Sequence, residues 1–150
     1  MKNTVKILGR DYELFASTQA VSEISEMCGG INHIAEYIYG TEQEPTDQAE
    51  QVKRAVAIIE KMINAAILRD NYAIKNGFTE GEEKKLFSAG DLAMIVGIKD
   101  TAPLLEGMVR ALKDDTDYDV PEGAKIDQND VDETLNEIRE KRAKNGESGE

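Results

Sequence analysis

The sequence predicts an α+β fold that is mostly helical: an N-terminal β-hairpin packed on five or six helices, followed by an acidic C-terminal tail. Three observations predict it. Short alternating runs of β-branched and aromatic residues fill positions 5–15. From residue 17 to 112 apolar side chains recur at spacings of three and four, the helical period. Beyond residue 113 acids take over: residues 114–150 carry 13 acidic and 5 basic side chains, against 17 and 13 in residues 1–113. A folded domain at 1–113 and a solvated tail at 114–150 are therefore expected.

The elements follow in order. Val5-Lys6-Ile7-Leu8 and Tyr12-Glu13-Leu14-Phe15 alternate as strands, with Gly9-Arg10-Asp11 as turn chemistry between them. Two strands alone are marginal in water, so the hairpin must pack on helices. Ser17 or Thr18 can cap a helix running to Cys28, with Val21, Ile24, Met27 and Cys28 as its stripe and Gly29-Gly30 as its stop. A short helix with Ile31, Ile34, Ala35 and Ile38 on one face ends at Gly40, and Thr41 to Pro45 is a polar loop.

The strongest element spans Asp47 to Lys75, about 40 Å of helix. Thr46 or Asp47 can cap it, and Glu50 stands at capping-box spacing from Asp47. Val52, Ala55, Val56, Ile59, Met62, Ile63, Ala66, Ile67 and Ile74 form its stripe, and Asn76-Gly77 stops it. Thr79 with Glu82 repeats the capping-box spacing and predicts a short charged helix. Ser88 with Asp91 repeats it before Leu92, Met94, Ile95 and Val96. Asp100 or Thr101 caps the last core helix, with Pro103 in its first turn and Leu104, Leu105, Met108, Val109 and Leu112 facing inward. In the tail, a weak helix over 129–144 would carry a narrow stripe of Val131, Leu135 and Ile138. That stripe is too thin for a core of its own. It either docks on a partner or frays in solvent, and these three residues are the candidate partner-binding side chains.

Composition narrows the function. A net charge of −12 repels phosphate backbones, so nucleic-acid binding is not expected. No apolar run approaches the roughly 18 residues that cross a bilayer, and no signal-like stretch opens the chain, so a cytoplasmic protein without membrane contact is expected. Cys28 is the single cysteine and His33 the single histidine, too few for a tetrahedral zinc site unless carboxylates complete it. A Cys28–His33 nucleophile pair is conceivable across Gly29-Gly30, but a small buried thiol and a surface imidazole are the expectation.

Glycine-rich phosphate loops are missing, and no serine sits on a G-x-S-x-G elbow. Asp115, Asp117 and Asp119 imitate the start of a calcium loop. Val120 replaces its glycine and Ile126 its final glutamate, so a solvated charge run is expected. Neither catalysis nor a cofactor nor a metal is expected.

The hairpin Val5–Phe15, the segment Val21-Ser22-Glu23-Ile24-Ser25-Glu26-Met27-Cys28-Gly29-Gly30-Ile31, the long helix ending near Ala66-Ile67-Leu68-Arg69-Asp70-Asn71, and Phe87-Ser88-Ala89-Gly90-Asp91-Leu92 before a final helix occur in that order. With the acidic tail, this layout resembles the tail assembly chaperones of long-tailed bacteriophages and prophages of Gram-positive hosts, over roughly residues 3–113. The resemblance implies a non-catalytic module that binds the tape-measure protein, keeps its apolar helices from aggregating, and helps the major tail protein polymerise around it. It also implies action in the host cytoplasm, departure before the virion matures, and a longer form made by programmed frameshifting. Ala143-Lys144-Asn145 can be encoded by a slippery A-AAA-AAC. A homo-oligomer is compatible with this reading. The competing expectation is a structural virion component, such as a head–tail joining or minor tail protein.

Overall fold

The computed structural model describes residues 3–118 and 120. A hairpin of β1 (Thr4–Ile7) and β2 (Arg10–Glu13) leads into α1 (Thr18–Cys28). A 3-10 turn, Ile31–His33, enters α2 (Ile34–Tyr39), and α3 (Gln48–Lys75) follows. A connecting segment then reaches α4 (Asp91–Ile95), and a second 3-10 turn, Ile98–Asp100, opens α5 (Thr101–Thr116). The α+β, mostly helical architecture is the one expected.

The hairpin pairs Thr4 with Glu13 and Ile7 with Arg10, so its turn is the two-residue Leu8-Gly9. Both take positive φ, 50° and 79°, as a type I′ turn requires. The turn thus sits one residue earlier than Gly9-Arg10-Asp11 suggested; a leucine rarely accepts that conformation, so Leu8 gave no turn signal. Val5, Ile7 and Leu14 are buried against the helices. Gly107 of α5 permits the approach: a Cβ there would lie 2.6 Å from Val5 Cγ1 and 3.2 Å from Leu14 Cδ1.

Local signals set most helix ends. Ser17 Oγ accepts from the Ala20 N–H at 3.1 Å, and Gly29 closes α1 in the left-handed conformation. Asp47 caps α3 by accepting from the Glu50 N–H at 2.8 Å. Glu50 does not complete a capping box; its carboxylate takes Arg54 Nε at 2.9 Å instead.

The core forms around α3. Ile58, Ile59, Met62 and Ile63 have no exposure, and Ala55, Val56, Ala65, Ala66 and Ile67 are also buried. At about 100° per residue these positions cover an arc of about 200°, just over half the helix circumference and broader than the expected stripe, since Ile58 and Ala65 join it. α5 adds Leu104, Leu105, Met108, Val109 and Leu112, all buried as expected.

Two expectations change. Residues 79–88 carry neither helix nor strand, so the charged helix expected from Thr79 and Glu82 does not form. Glu82-Glu83-Lys84-Lys85 offers no apolar stripe to bury, and its backbone finds other partners, described below. At Ser88 the capping geometry is also reversed: the Ser88 N–H donates to Asp91 Oδ2 at 2.8 Å, and Gly90 is the residue before α4.

The end of α5 differs as well. The helix continues to Thr116, beyond the expected boundary at 113. Asp115 Oδ2 accepts from the Ala16 N–H at 2.9 Å, Asp114 accepts from Asn3 Nδ2 at 3.1 Å, and Val120 lies in the core. Asp115 therefore ends a helix and joins it to the β2–α1 junction, where a solvated charge run was expected.

A chain ending at Val120 should be more stable than one ending at Lys113 by about 2–4 kcal/mol, from one buried valine and the lost hydrogen bonds. Urea denaturation of both truncations measures this. Equal midpoints would show that residues 114–120 contribute nothing to the fold.

Candidate interaction surface

Three polar residues of α3 lie along one edge of its buried arc. Glu60, Asn64 and Asn71 fall within about 40° of one another around the helix. Each turns its side chain on the backbone of the segment that follows α3. Asn71 Nδ2 donates to the Lys84 carbonyl at 2.8 Å, and its Oδ1 accepts from the Lys84 N–H at 2.8 Å. Asn64 repeats the arrangement with Phe87, at 2.9 Å in both directions. Glu60, only 7% exposed, accepts from the Gly90 N–H at 3.2 Å and the Leu92 N–H at 3.0 Å.

The spacing explains the pairing. Seven residues of helix rise about 10.5 Å, and three residues of extended chain span about 10 Å. Asn64 and Asn71 thus meet residues 87 and 84 of a strap running antiparallel to α3. The carboxamide presents one donor and one acceptor side by side, matching the N–H and C=O of a single residue. The strap's own side chains hold little: residues 79–86 are exposed, and Phe87 is the part-buried one, its ring 5.3 Å from that of Tyr12.

Beside this edge lies an open groove of about 620 Å³, lined by Phe15, Glu23, Lys61, Asn64, Leu68 and Leu86 among others. Leu68 is 50% exposed and Leu86 40%, and Tyr72, one turn beyond Leu68, is 65% exposed. Charged pairs frame the apolar floor. Lys61 Nζ lies 3.0 Å from Glu23 Oε1, and this hydrogen bond, more than that from Gln19, holds the Glu23 carboxyl below its ordinary range. Arg69 forks onto both oxygens of Glu13, at 2.7 and 3.0 Å, and its guanidinium sits 4.9 Å from the centre of the Phe15 ring.

Of the residues singled out from sequence, Cys28 and His33 do not line this groove. Val131, Leu135 and Ile138 are outside the described residues. Cys28 is partly buried, and desolvation pushes its thiol up to about 11, leaving it protonated at neutral pH. His33 is exposed, with Nδ1 2.8 Å from Glu36 Oε1. Among the described residues no group of three or more His, Cys, Asp or Glu side chains is placed to hold a metal ion, and no helix is long and apolar enough to cross a membrane.

Sequence reasoning missed Glu60, Asn64 and Asn71. The available signal was an asparagine pair seven residues apart inside a strong helix, a residue type that usually weakens helix interiors. Comparisons with protein families, with curated proteins and with solved structures find no match.

Glu60→Ala should cost about 1–3 kcal/mol, because two backbone N–H groups lose a buried acceptor. Glu60→Gln, which keeps one acceptor oxygen, should cost less. Urea denaturation with amide exchange at Leu92 reads both effects. Unchanged stability and protection in Glu60→Ala would remove the carboxylate from the account.

Proposed function

We propose that this chain is a non-catalytic polypeptide-holding protein, and within that class a phage tail assembly chaperone acting on the tape-measure protein in the host cytoplasm. The observation that carries the reading is the open groove beside α3, where Leu68 and Leu86 remain exposed next to paired charges, with exposed Tyr72 one helical turn beyond Leu68. Apolar side chains grouped at an open groove suit a partner's apolar segment. The resemblance in segment order and acidic tail selects the phage assembly role within that class. The net charge of −12 supplies repulsion between loaded complexes, which keeps a greasy client in solution.

Holding needs no covalent chemistry. A tape-measure protein presents long apolar helices before the tube encloses them. A protein that covers part of that surface reversibly raises its solubility by mass action, and the growing tube of major tail protein then displaces it.

Co-expression with the tape-measure protein tests this. The pair should copurify, and the soluble fraction of tape-measure protein should rise. Leu68→Asp with Tyr72→Asp, both at exposed positions, should abolish the gain while the variant stays folded. Persistent insolubility of the tape-measure protein beside wild-type chain would sink the proposal. Abundant recovery of the chain in purified virions would favour the structural-component reading.

A further inference from the structure

We propose that the α3 edge bearing Asn64 and Asn71 is a backbone-reading site for extended polypeptide, filled in cis by residues 84–87 and opened to a segment of another chain when that strap lifts. The inference rests on the polypeptide-holding reading and adds where and how the client is held.

The strap itself identifies the ligand chemistry. Both carboxamides bond only to peptide N–H and C=O groups, at residues 84 and 87, and to no side chain of the strap. A segment whose backbone repeats every three residues, as extended polyproline-II chain does, presents two peptide units three apart on one side and satisfies the same four bonds; a flat strand, with its period of two, does not. Recognition of this kind is indifferent to sequence, which suits a protein that must hold a long chain at many places.

The strap is also cheap to lift. Its side chains at 79–86 are exposed, so the apolar area that returns to water when it leaves comes mainly from Phe87, half-buried beside Tyr12. Four exchangeable hydrogen bonds contribute about 0.5–1.5 kcal/mol each, and water replaces part of that. An incoming chain regains these bonds and adds apolar contact. Leu68 and Tyr72 stand one helical turn apart, half or more exposed, on the outer side of the asparagine edge. Side chains between the two paired residues of the incoming chain reach them as its backbone pairs with Asn64 and Asn71. The strap carries Glu80, Glu82 and Glu83 with Lys84 and Lys85, and its large apolar side chains are the adjacent Leu86 and Phe87 alone. The preferred client segment is therefore apolar and uncharged or basic, since the chain's net charge of −12 disfavours acids.

The test measures binding of a fluorescent, capped twelve-residue peptide of leucine, alanine and serine, with a lysine at each end, to the full chain. Asn64→Ala with Asn71→Ala should weaken binding by about tenfold or more. Lys84→Pro removes the N–H that Asn71 Oδ1 accepts and loosens the strap while leaving the asparagines in place. It should tighten binding by about threefold or more, because the competent state is more populated. Methylating alternate backbone nitrogens of the peptide, which places one methyl group against an asparagine in either register, should weaken binding by about threefold or more. Circular dichroism establishes that each variant is folded.

Opposite signs for the two variants are the expected signature. A strap that is only a connector gives loss or no change in both, and that result overturns the inference. Wild-type binding that the double asparagine variant leaves intact also overturns it, with the holding reading still standing. No binding of the peptide or of an unfolded carboxymethylated polypeptide to the wild-type chain removes both.

Discussion

Ile58, Ile59, Met62 and Ile63, in the middle of α3, are completely withdrawn from water, and the remaining elements are arranged by what it takes to keep them so. Each such side chain contributes about 1.5–3 kcal/mol when buried. A 28-residue helix with so wide an apolar arc cannot be covered by one neighbour. α1, α2, α4, α5 and the hairpin all pack around it. The hairpin survives because it lies on α3 and α5, fitted at Gly107 and joined through Ala16 to Asp115. The arc ends at Glu60, Asn64 and Asn71, and there the packing changes character. Apolar contact gives way to side-chain carboxamides gripping a strap, and beyond the strap Leu68 and Tyr72 meet solvent.

The proposed holding function draws on this division of labour. Apolar burial fixes α3 as a rigid rail. Four hydrogen bonds fix the strap to it, those of Asn71 exposed to water and those of Asn64 half-buried. A polypeptide-holding protein needs that combination: a scaffold that does not deform, bearing a surface whose own covering is weakly attached. In the proposed holding role, the net charge of −12 opposes self-association of the loaded protein.

Features governed by neighbours in sequence were legible from the chain alone. Asp47 before a run of helix formers, Gly29 after Cys28, and the inward row Leu104 to Leu112 are local signals, and they appear where expected. Features governed by distant partners were not. Thr79 and Glu82 imitate a helix start, but the choice is made by Asn71, 13 residues from Lys84, and Asn64, 23 residues from Phe87. Asp114 and Asp115 look like the start of a solvated tail until Ala16, 99 residues from Asp115, supplies the bond that holds the last turn. Periodicity counted Ile58 and Ala65 outside the stripe because it assumes one packed face, whereas α3 is enclosed on several. The interaction surface lay beyond reach for the same reason: an asparagine on a helix reveals its role only once the segment it grips is in place.

Native-state amide hydrogen exchange tests the central claim most directly. The amides of Ile59, Met62 and Ile63 should exchange only through global unfolding, with protection that falls in step with denaturant. The amides of Lys84 and Phe87 should exchange through a local opening at least about 2 kcal/mol easier, with little denaturant dependence. Protection of Lys84 and Phe87 equal to that of the α3 centre would mean that strap and rail are one unit, and the account of a rigid helix under a detachable covering would be wrong.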